Sequence, residues 1–461
     1  MAVSTPAWKT YPYVLIDGDP ELTFPAAEGD QGAESNTFYV AGRLRGRQTQ
    51  REWSFLVVFA FNDVRKRLRA DFFTVALFDL ATGDYGTYSE FDLPRLFHLR
   101  RGYKLAVGRG SLDVRFASAV LAASRWTTRR DPTGQLLPFS YELSVSGRDA
   151  QQRAMHLELE MDTFKPPMPV GGLEYGGIKT CMGQYGTHSY FQSDVRFRGA
   201  LEWGGVREEV DGDSGWIDRQ WTPRYLGTYN DRRATLYRHE WRQLHLDNGV
   251  EMSVWLHFDR RRHNRVIPFS GATAAGPQNQ VLSTTDFELE RLSFVRDPGH
   301  VAPRYALTGG AKYFTDRYRL RVPAWDLDVR SEPLVAAPAH AFPIEYWSGP
   351  TRLDGTMKGK PVSGIGFHER TLAFCRDFEL TDVLRQTLRH LPESSVGGKI
   401  GPLQLADSVW EVDGFLSHRD RAGALGHLRG RVRPELERLG DPHRARVLRI
   451  VEDLEATLRQ P

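Results

Sequence analysis

The residues best placed to do chemistry stand together in Gly215-Trp-Ile-Asp-Arg-Gln-Trp221, where two tryptophans bracket an Asp, an Arg and a Gln. In an extended strand alternate side chains point to opposite faces. Trp216, Asp218 and Gln220 would then share one face, and Ile217, Arg219 and Trp221 the other. A carboxyl held beside indole and away from water loses the solvation of its charged form. Its pKa rises, and it becomes able to donate a proton. The same residues admit a structural role, in which Asp218 pairs with Arg219 or Arg224 and anchors a turn. Both roles stay open on the residues alone.

A second group lies a little further on. Tyr237, His239 and Trp241 share one face of a possible strand, and Trp255 and His257 stand opposite Val254 and Leu256. Either set could line a pocket, with His239 a partner for Asp218; a hydrogen-bonded histidine under an aromatic cover fits as well. Established motifs are missing. Gly364-Ile-Gly-Phe-His-Glu lacks the third glycine of a dinucleotide loop, and no HExxH, GxSxG or Walker sequence occurs. Asp211-Gly-Asp-Ser-Gly is too short for a calcium loop and reads as a turn. The histidines show no three-ligand spacing, so no metal and no cofactor are expected. Cys181 and Cys375 are the two cysteines, too few for a zinc ribbon or a disulfide framework.

These side chains need a sheet to position them, and the chain is patterned for one. Trp53, Phe55, Val57, Phe59 and Phe61 alternate with other residues; so do Met155, Leu157, Leu159 and Met161. The pattern returns in Val250 to Phe258, in Tyr318, Leu320 and Val322, and in Trp325, Leu327 and Val329. Such strands form antiparallel sheets. Ala81-Thr-Gly-Asp, Asp247-Asn-Gly, Asp297-Pro-Gly and Asp354-Gly read as the turns between them. After Cys375 the period changes. Thr381 can cap a helix carrying Val383, Leu384, Leu388 and Leu391, and Asp441-Pro442 fits the start of another with Val447, Ile450, Val451 and Leu454. The expected architecture is all-β: two consecutive antiparallel barrels over residues 20–228 and 232–378, then a helical appendage over 379–461.

Composition bounds the partners. The chain has 461 residues, with 61 Lys and Arg against 58 Asp and Glu. Its one basic cluster, Arg260 to Arg265, reads as a solvated hairpin loop. Nucleic acid is therefore excluded as a main partner, because phosphate binding needs a concentrated positive field. The longest apolar run, Phe55 to Phe61, is far below the roughly 20 residues of a transmembrane helix. Residues 1–20 contain no apolar signal segment, so a cytoplasmic location is expected.

Three blocks carry a family resemblance. Gly215-Trp-Ile-Asp-Arg-Gln-Trp resembles the signature of the lipocalin-like carotenoid 1,2-hydratase/AttH family. Tyr346-Trp-Ser-Gly-Pro-Thr-Arg-Leu-Asp-Gly followed by Gly359-Lys-Pro-Val-Ser-Gly-Ile-Gly-Phe-His-Glu369 is similar to a second family segment. Phe38-Tyr-Val-Ala-Gly-Arg-Leu44 is similar to its opening motif. The resemblance spans roughly residues 20–375, in order. It implies two lipocalin-like barrels with a hydrophobic cleft between or within them. It also implies a cofactor-independent enzyme acting on an apolar polyene or terpenoid. The family's hydratases add water to an isoprenoid double bond, and fungal relatives close decalin rings as pericyclases. Non-catalytic carriage of an apolar ligand is a third possibility.

In the hydratases an aromatic-x-Asp pair works with an earlier His-x-Trp. Trp216-Ile-Asp218 matches the first, and His188-Ser-Tyr190 stands where the second is expected, with Tyr replacing Trp. Ser348 replaces a family Glu, and Asn36, Thr37 and Phe38 replace a charged and aromatic run. The candidate catalytic residues are thus Asp218, His188 and His239. The candidate substrate-binding residues are Trp216, Tyr190, Trp221, Trp241, Tyr237 and Glu369. The expected cavity is lined by Trp, Tyr and Phe.

Overall fold

The computed structural model describes residues 5–16, 22–63, 69–92, 104–118, 121–171, 178–179, 187–222, 237–259, 265–266, 270–296, 313–340, 346–371, 377–395 and 400–459. Two large antiparallel sheets, of thirteen and eleven strands, are followed by helices. In the first sheet the strand Ser35–Gly46 pairs with Glu52–Asp63 on one side. On the other it pairs with Val206–Thr222, the last long strand of the sheet. The second sheet repeats this: its first strand, Tyr237–Leu246, pairs with Glu251–Asp259 and with its last, Lys360–Thr371. Each sheet curls around an apolar interior. Trp53, Phe55, Val57 and Met155, Leu157, Leu159 fill the first. Met252, Val254, Leu320, Val329 and Leu353 fill the second.

The two curled sheets meet face to face along a seam. Tyr39, Ala41, Leu56, Val58, Trp216 and Phe191 of the first pack there with Trp241, Trp255, Tyr346 and Phe367 of the second. This accounts for the unbroken apolar run from Phe55 to Phe61: Phe55, Val57, Phe59 and Phe61 face the first interior, while Leu56, Val58 and Ala60 face the seam. A strand buried on both faces has no polar side to show.

Two glycines shape the strand that carries Asp218. Gly42 and Gly215 are register partners, and the Phe197 ring lies across both. A Cβ at Gly42 would come within 2.3 Å of that ring, and one at Gly215 within 2.2 Å. Asp211-Gly-Asp-Ser-Gly, expected as a turn, is instead an irregularity inside the strand Val206–Thr222, where the register shifts between Asp211 and Ser214. Both neighbouring strands continue past it, so the extra residue is absorbed as a bulge. Asp354-Gly355 also lies within a strand, paired to Val329 and Arg330. The Asp247-Asn-Gly turn is present, between the first two strands of the second sheet. Asp297-Pro-Gly, Arg260 to Asn264, Cys181, Arg224 and Cys375 lie outside the described residues.

The helices form a separate apolar cluster that packs on Phe294 and Tyr313 of the second sheet. The first runs Asp377–Arg389, so Thr381 is a mid-helix residue whose hydroxyl bonds Phe378 O at 3.0 Å, not a cap. The last runs His443–Leu458 with Pro442 as its N-cap, one residue later than expected. A ladder of ion pairs ties helix to sheet: Arg291 to Asp382, Asp382 to Arg385, and Arg385 to Asp413, each at 2.8 Å. Among the described residues no helix is long and apolar enough to cross a membrane.

Candidate functional site at the seam

Strand alternation divides the Trp216-to-Trp221 segment between two environments. Ile217 enters the first interior. Trp216 enters the seam, where it stacks on Phe191 at 4.3 Å and 12°. Its other neighbours are Trp241, edge-on at 6.0 Å, and the perpendicular ring of His245 at 5.6 Å. Asp218 follows Trp216 on the same face and is 4% exposed. Ser189 Oγ donates to its Oδ1 at 3.3 Å and Gln220 Nε2 to its Oδ2 at 3.2 Å. Tyr39 stands directly across the ladder from Asp218 and meets Trp241 edge-on at 5.3 Å.

The second sheet brings its own polar group to the same seam. Glu369 Oε2 accepts from the Tyr346 hydroxyl at 2.6 Å, and its Oε1 lies 3.3 Å from His239 Nε2. Glu369 pairs across the ladders with Trp241 on one side and Ser348 on the other. Tyr39 links the two halves. Burial, then the charge of Glu369, and to a smaller degree that of Asp218, push its phenol well above the usual range. Burial and Glu369 do the same to Tyr346. Both phenols therefore stay protonated and able to donate between two carboxyl groups.

Arg219 is not the partner of Asp218. It points to the opposite face, where Nη2 donates to Gly29 O at 2.6 Å and Asn36 Oδ1 at 2.7 Å. Nη1 donates to Gln220 O at 2.7 Å, and the guanidinium lies 3.9 Å over Phe38. Burial lowers its pKa to about 10.

His188, Tyr190 and Trp221 also take that opposite face. The ladder sets His188 against Trp221 and Tyr190 against Arg219. The His188 ring stacks on Trp221 at 5.2 Å, and Tyr190 meets Phe24 edge-on at 4.9 Å under the N-terminal segment. Their grouping with Asp218 is thus corrected: strand alternation turns them away from it. Trp241, His239 and Glu369 do face the seam with Asp218. Tyr237 starts the His239 strand, and its side chain lies outside the described residues. Tyr39, Ser189 and Tyr346 had not been singled out as site residues. Alternation in Phe38-Tyr-Val-Ala does separate Tyr39 from Phe38, but only the register puts Tyr39 opposite Asp218.

A cleft of about 850 Å³ opens along the seam on the His245 side of Trp216. None of its lining residues is Trp, Tyr or Phe. Among the described residues no group of three His, Cys, Asp or Glu is placed to hold a metal.

The AttH-like family model matches residues 16–371, and the chain belongs to that family. The helices from Asp377 onward lie beyond the match. The fold is shared with a candidate AttH protein of Nitrosomonas europaea, at 18% identity and a TM-score of 0.58, over 78% of this chain and 99% of that one. It is also shared with kievitone hydratase of Nectria haematococca, at 14% identity and a TM-score of 0.53, over 76% of this chain and 92% of that one. No curated protein sequence matches the chain.

Proposed function

We propose that the protein is a cofactor-independent acid–base enzyme that adds water to a double bond of an apolar polyene or terpenoid. The observation that carries this reading is the Asp218 carboxyl, buried on the seam beside Trp216 and across from Tyr39, with Arg219 turned to the other face. In its neutral form Asp218 donates a proton to an alkene carbon. The carbocation left on the neighbouring carbon is stabilised by the faces of Trp216 and Trp241. Water adds to that carbon and gives a proton to His239, which Glu369 orients. Proton return to Asp218, with the Tyr39 hydroxyl on its path, completes the cycle. The kievitone hydratase fold likeness agrees with such a reaction.

A cyclase reading uses the same groups differently: the Tyr39 and Tyr346 hydroxyls polarise a carbonyl while the seam orients a polyene for ring closure. The ionisable groups on the seam weigh against a simple carrier. Incubation of candidate polyenes in heavy-oxygen water, read by mass spectrometry, separates the three. Label uptake means hydration, an isomer of unchanged mass means cyclisation, and untouched ligand means carriage. Asp218→Asn should lower turnover by about 10²- to 10⁴-fold with little change in melting temperature. A fully active variant would remove Asp218 from the mechanism.

A further inference from the structure

The segment ahead of the strand Ser35–Gly46 packs against the first sheet on the face turned away from Asp218. Leu22, Phe24 and Ala27 are buried there with Phe139, Tyr190 and Trp221. Three of its polar ties to the sheet gather at residues 28–30. Arg219 Nη2 donates to Gly29 O at 2.6 Å, and the Asp30 N–H donates to Gly108 O at 2.8 Å. A Cβ at Gly29 would come within 2.8 Å of that same Gly108 O, so the chain is pressed close at this point. The third tie is the buried carboxyl of Glu28, set against the strands Ser124–Arg130 and Leu136–Arg148.

Glu28 accepts from the hydroxyl of Tyr11 in the segment itself and from those of Thr128 and Tyr141 in the two strands. The backbone of Leu112 supplies a further hydrogen bond. The other ionisable groups near it are Tyr190, Arg219, and Asp30 with Arg109 3.9 Å from it on the outer side. Burial, then the charge of Glu28, push the Tyr11, Tyr141 and Tyr190 phenols up, so all three stay protonated. Arg219 donates instead to Gly29 O, Asn36 Oδ1 and Gln220 O. Among the described residues no cation pairs with the carboxyl. A charged carboxyl buried without a cation favours any conformation that returns it to water. Burial outweighs the hydrogen bonds here and holds the proton up to about pH 7, against 4.5 for a carboxyl in water.

We propose that residues 22–33 form a pH-released strap: ionisation of Glu28 favours its lifting off the first sheet, which bares Tyr190, Arg219 and Trp221. Arg219 and Trp221 belong to the strand that carries Asp218, so the closed strap braces that strand from behind. An effect of release on turnover rests on the hydratase reading; release itself is measured without substrate.

Amide hydrogen exchange of the full chain, corrected for the intrinsic rate at each pH, reads the opening. Below 4.5 the proton is held in both forms, and above about 7 it is lost from both, so the change falls between those values. The opening constant at the Gly29 and Asp30 amides should rise roughly fortyfold between about pH 5 and pH 7. The amides of Val57 and Phe59, within the first sheet, should stay better protected throughout, because the strap opens while the sheet stays folded. Glu28→Gln is neutral at every pH and should make the strap's opening constant flat. Should that variant fail to fold, Tyr141→Phe serves: it removes a hydroxyl that pulls the Glu28 pKa down, so the rise should run to higher pH. Strap amides exchanging no faster than those of Val57 and Phe59 would overturn the proposal. So would a rise absent from the wild type, a rise kept in Glu28→Gln, or a rise unmoved in Tyr141→Phe.

Discussion

Glu28 should make the protein weaker as pH rises from acid to neutral, and Glu28→Gln should remove that effect. The residue ends a short helical turn, Ala26–Glu28, and is 1% exposed. Its Oε1 accepts from the hydroxyls of Tyr11 and Tyr141, both at 2.8 Å, and its Oε2 from Thr128 at 3.1 Å. Burial raises its pKa, the three hydroxyls pull it back, and burial wins, leaving it at about 7 against 4.5 when unfolded. The folded protein thus holds this proton more tightly than the unfolded chain does. The stabilisation is complete below about 4.5, is lost between about 4.5 and 7, and is absent above that. A gap of that size at about 1.4 kcal/mol per unit corresponds to roughly 3 kcal/mol. Glutamine keeps the shape and stays neutral, so urea unfolding of both proteins, followed by circular dichroism from about pH 4.5 to 8, isolates the effect. The stability difference should move by roughly 3 kcal/mol in favour of Glu28→Gln across that range. A difference that stays flat, or moves the other way, would refute the assignment of burial as the dominant cause.

Other perturbations probe the joints of the molecule. His340 joins the two sheets: its Nε2 donates to Ser348 O at 2.8 Å, so its Nδ1 accepts from Thr87 Oγ1, also at 2.8 Å. Burial lowers its pKa from 6.5 to about 4, so its contribution is present above 6.5 and is lost as pH falls toward 4. His340→Gln should therefore flatten the acid limb of a pH–stability curve by roughly 3 kcal/mol, and an unchanged limb would count against the joint. Asp382→Ala removes the shared partner of Arg291 and Arg385 and should cost about 3–5 kcal/mol, read as a lowered melting temperature. A loss under about 1 kcal/mol would show that the ladder carries no stability. On the hydratase reading, Tyr39→Phe should lower kcat by about tenfold or more with KM little changed, and a pure KM effect would place Tyr39 in binding alone.

Much of the fold was legible because the period-two pattern reports burial directly. The even positions from Val250 to Phe258 do face the second interior, while Trp255 faces the seam. What failed were features set by partners rather than by local chemistry. Asp211 to Gly215 contains good turn residues, yet the strands on both sides continue, so the segment stays in the sheet as a bulge. Asp354-Gly355 stays extended for the same reason. Thr381 has the right type for a cap, but the helix gains another turn at Asp377, whose carboxylate meets Arg421 at 2.8 Å.

The site was half legible, and the missing half has one physical origin. Alternation set Asp218 beside Trp216 and away from Arg219, as found. It could not tell what covers each face, because both faces of this strand are buried: one by the interior of its own sheet and the N-terminal segment, the other by the second sheet. Aromatic company therefore marks both faces equally: Trp221 falls opposite Asp218 as alternation requires, and His188 and Tyr190, joined to Asp218 by the family resemblance, pair with Trp221 and Arg219 on that same far face. Polar chemistry separates the faces better. Arg219, on the covered side, spends its donors on the backbone carbonyls of Gly29 and Gln220 and on Asn36, the behaviour of a group that fixes structure. On the seam, a carboxyl, two phenols and a His–Glu pair converge from two separately folded sheets, although a seam needs only apolar surface to hold. Ionisable groups on an interface that packing alone could close are a cost to folding, and on the hydratase reading that cost is offset by the chemistry they perform.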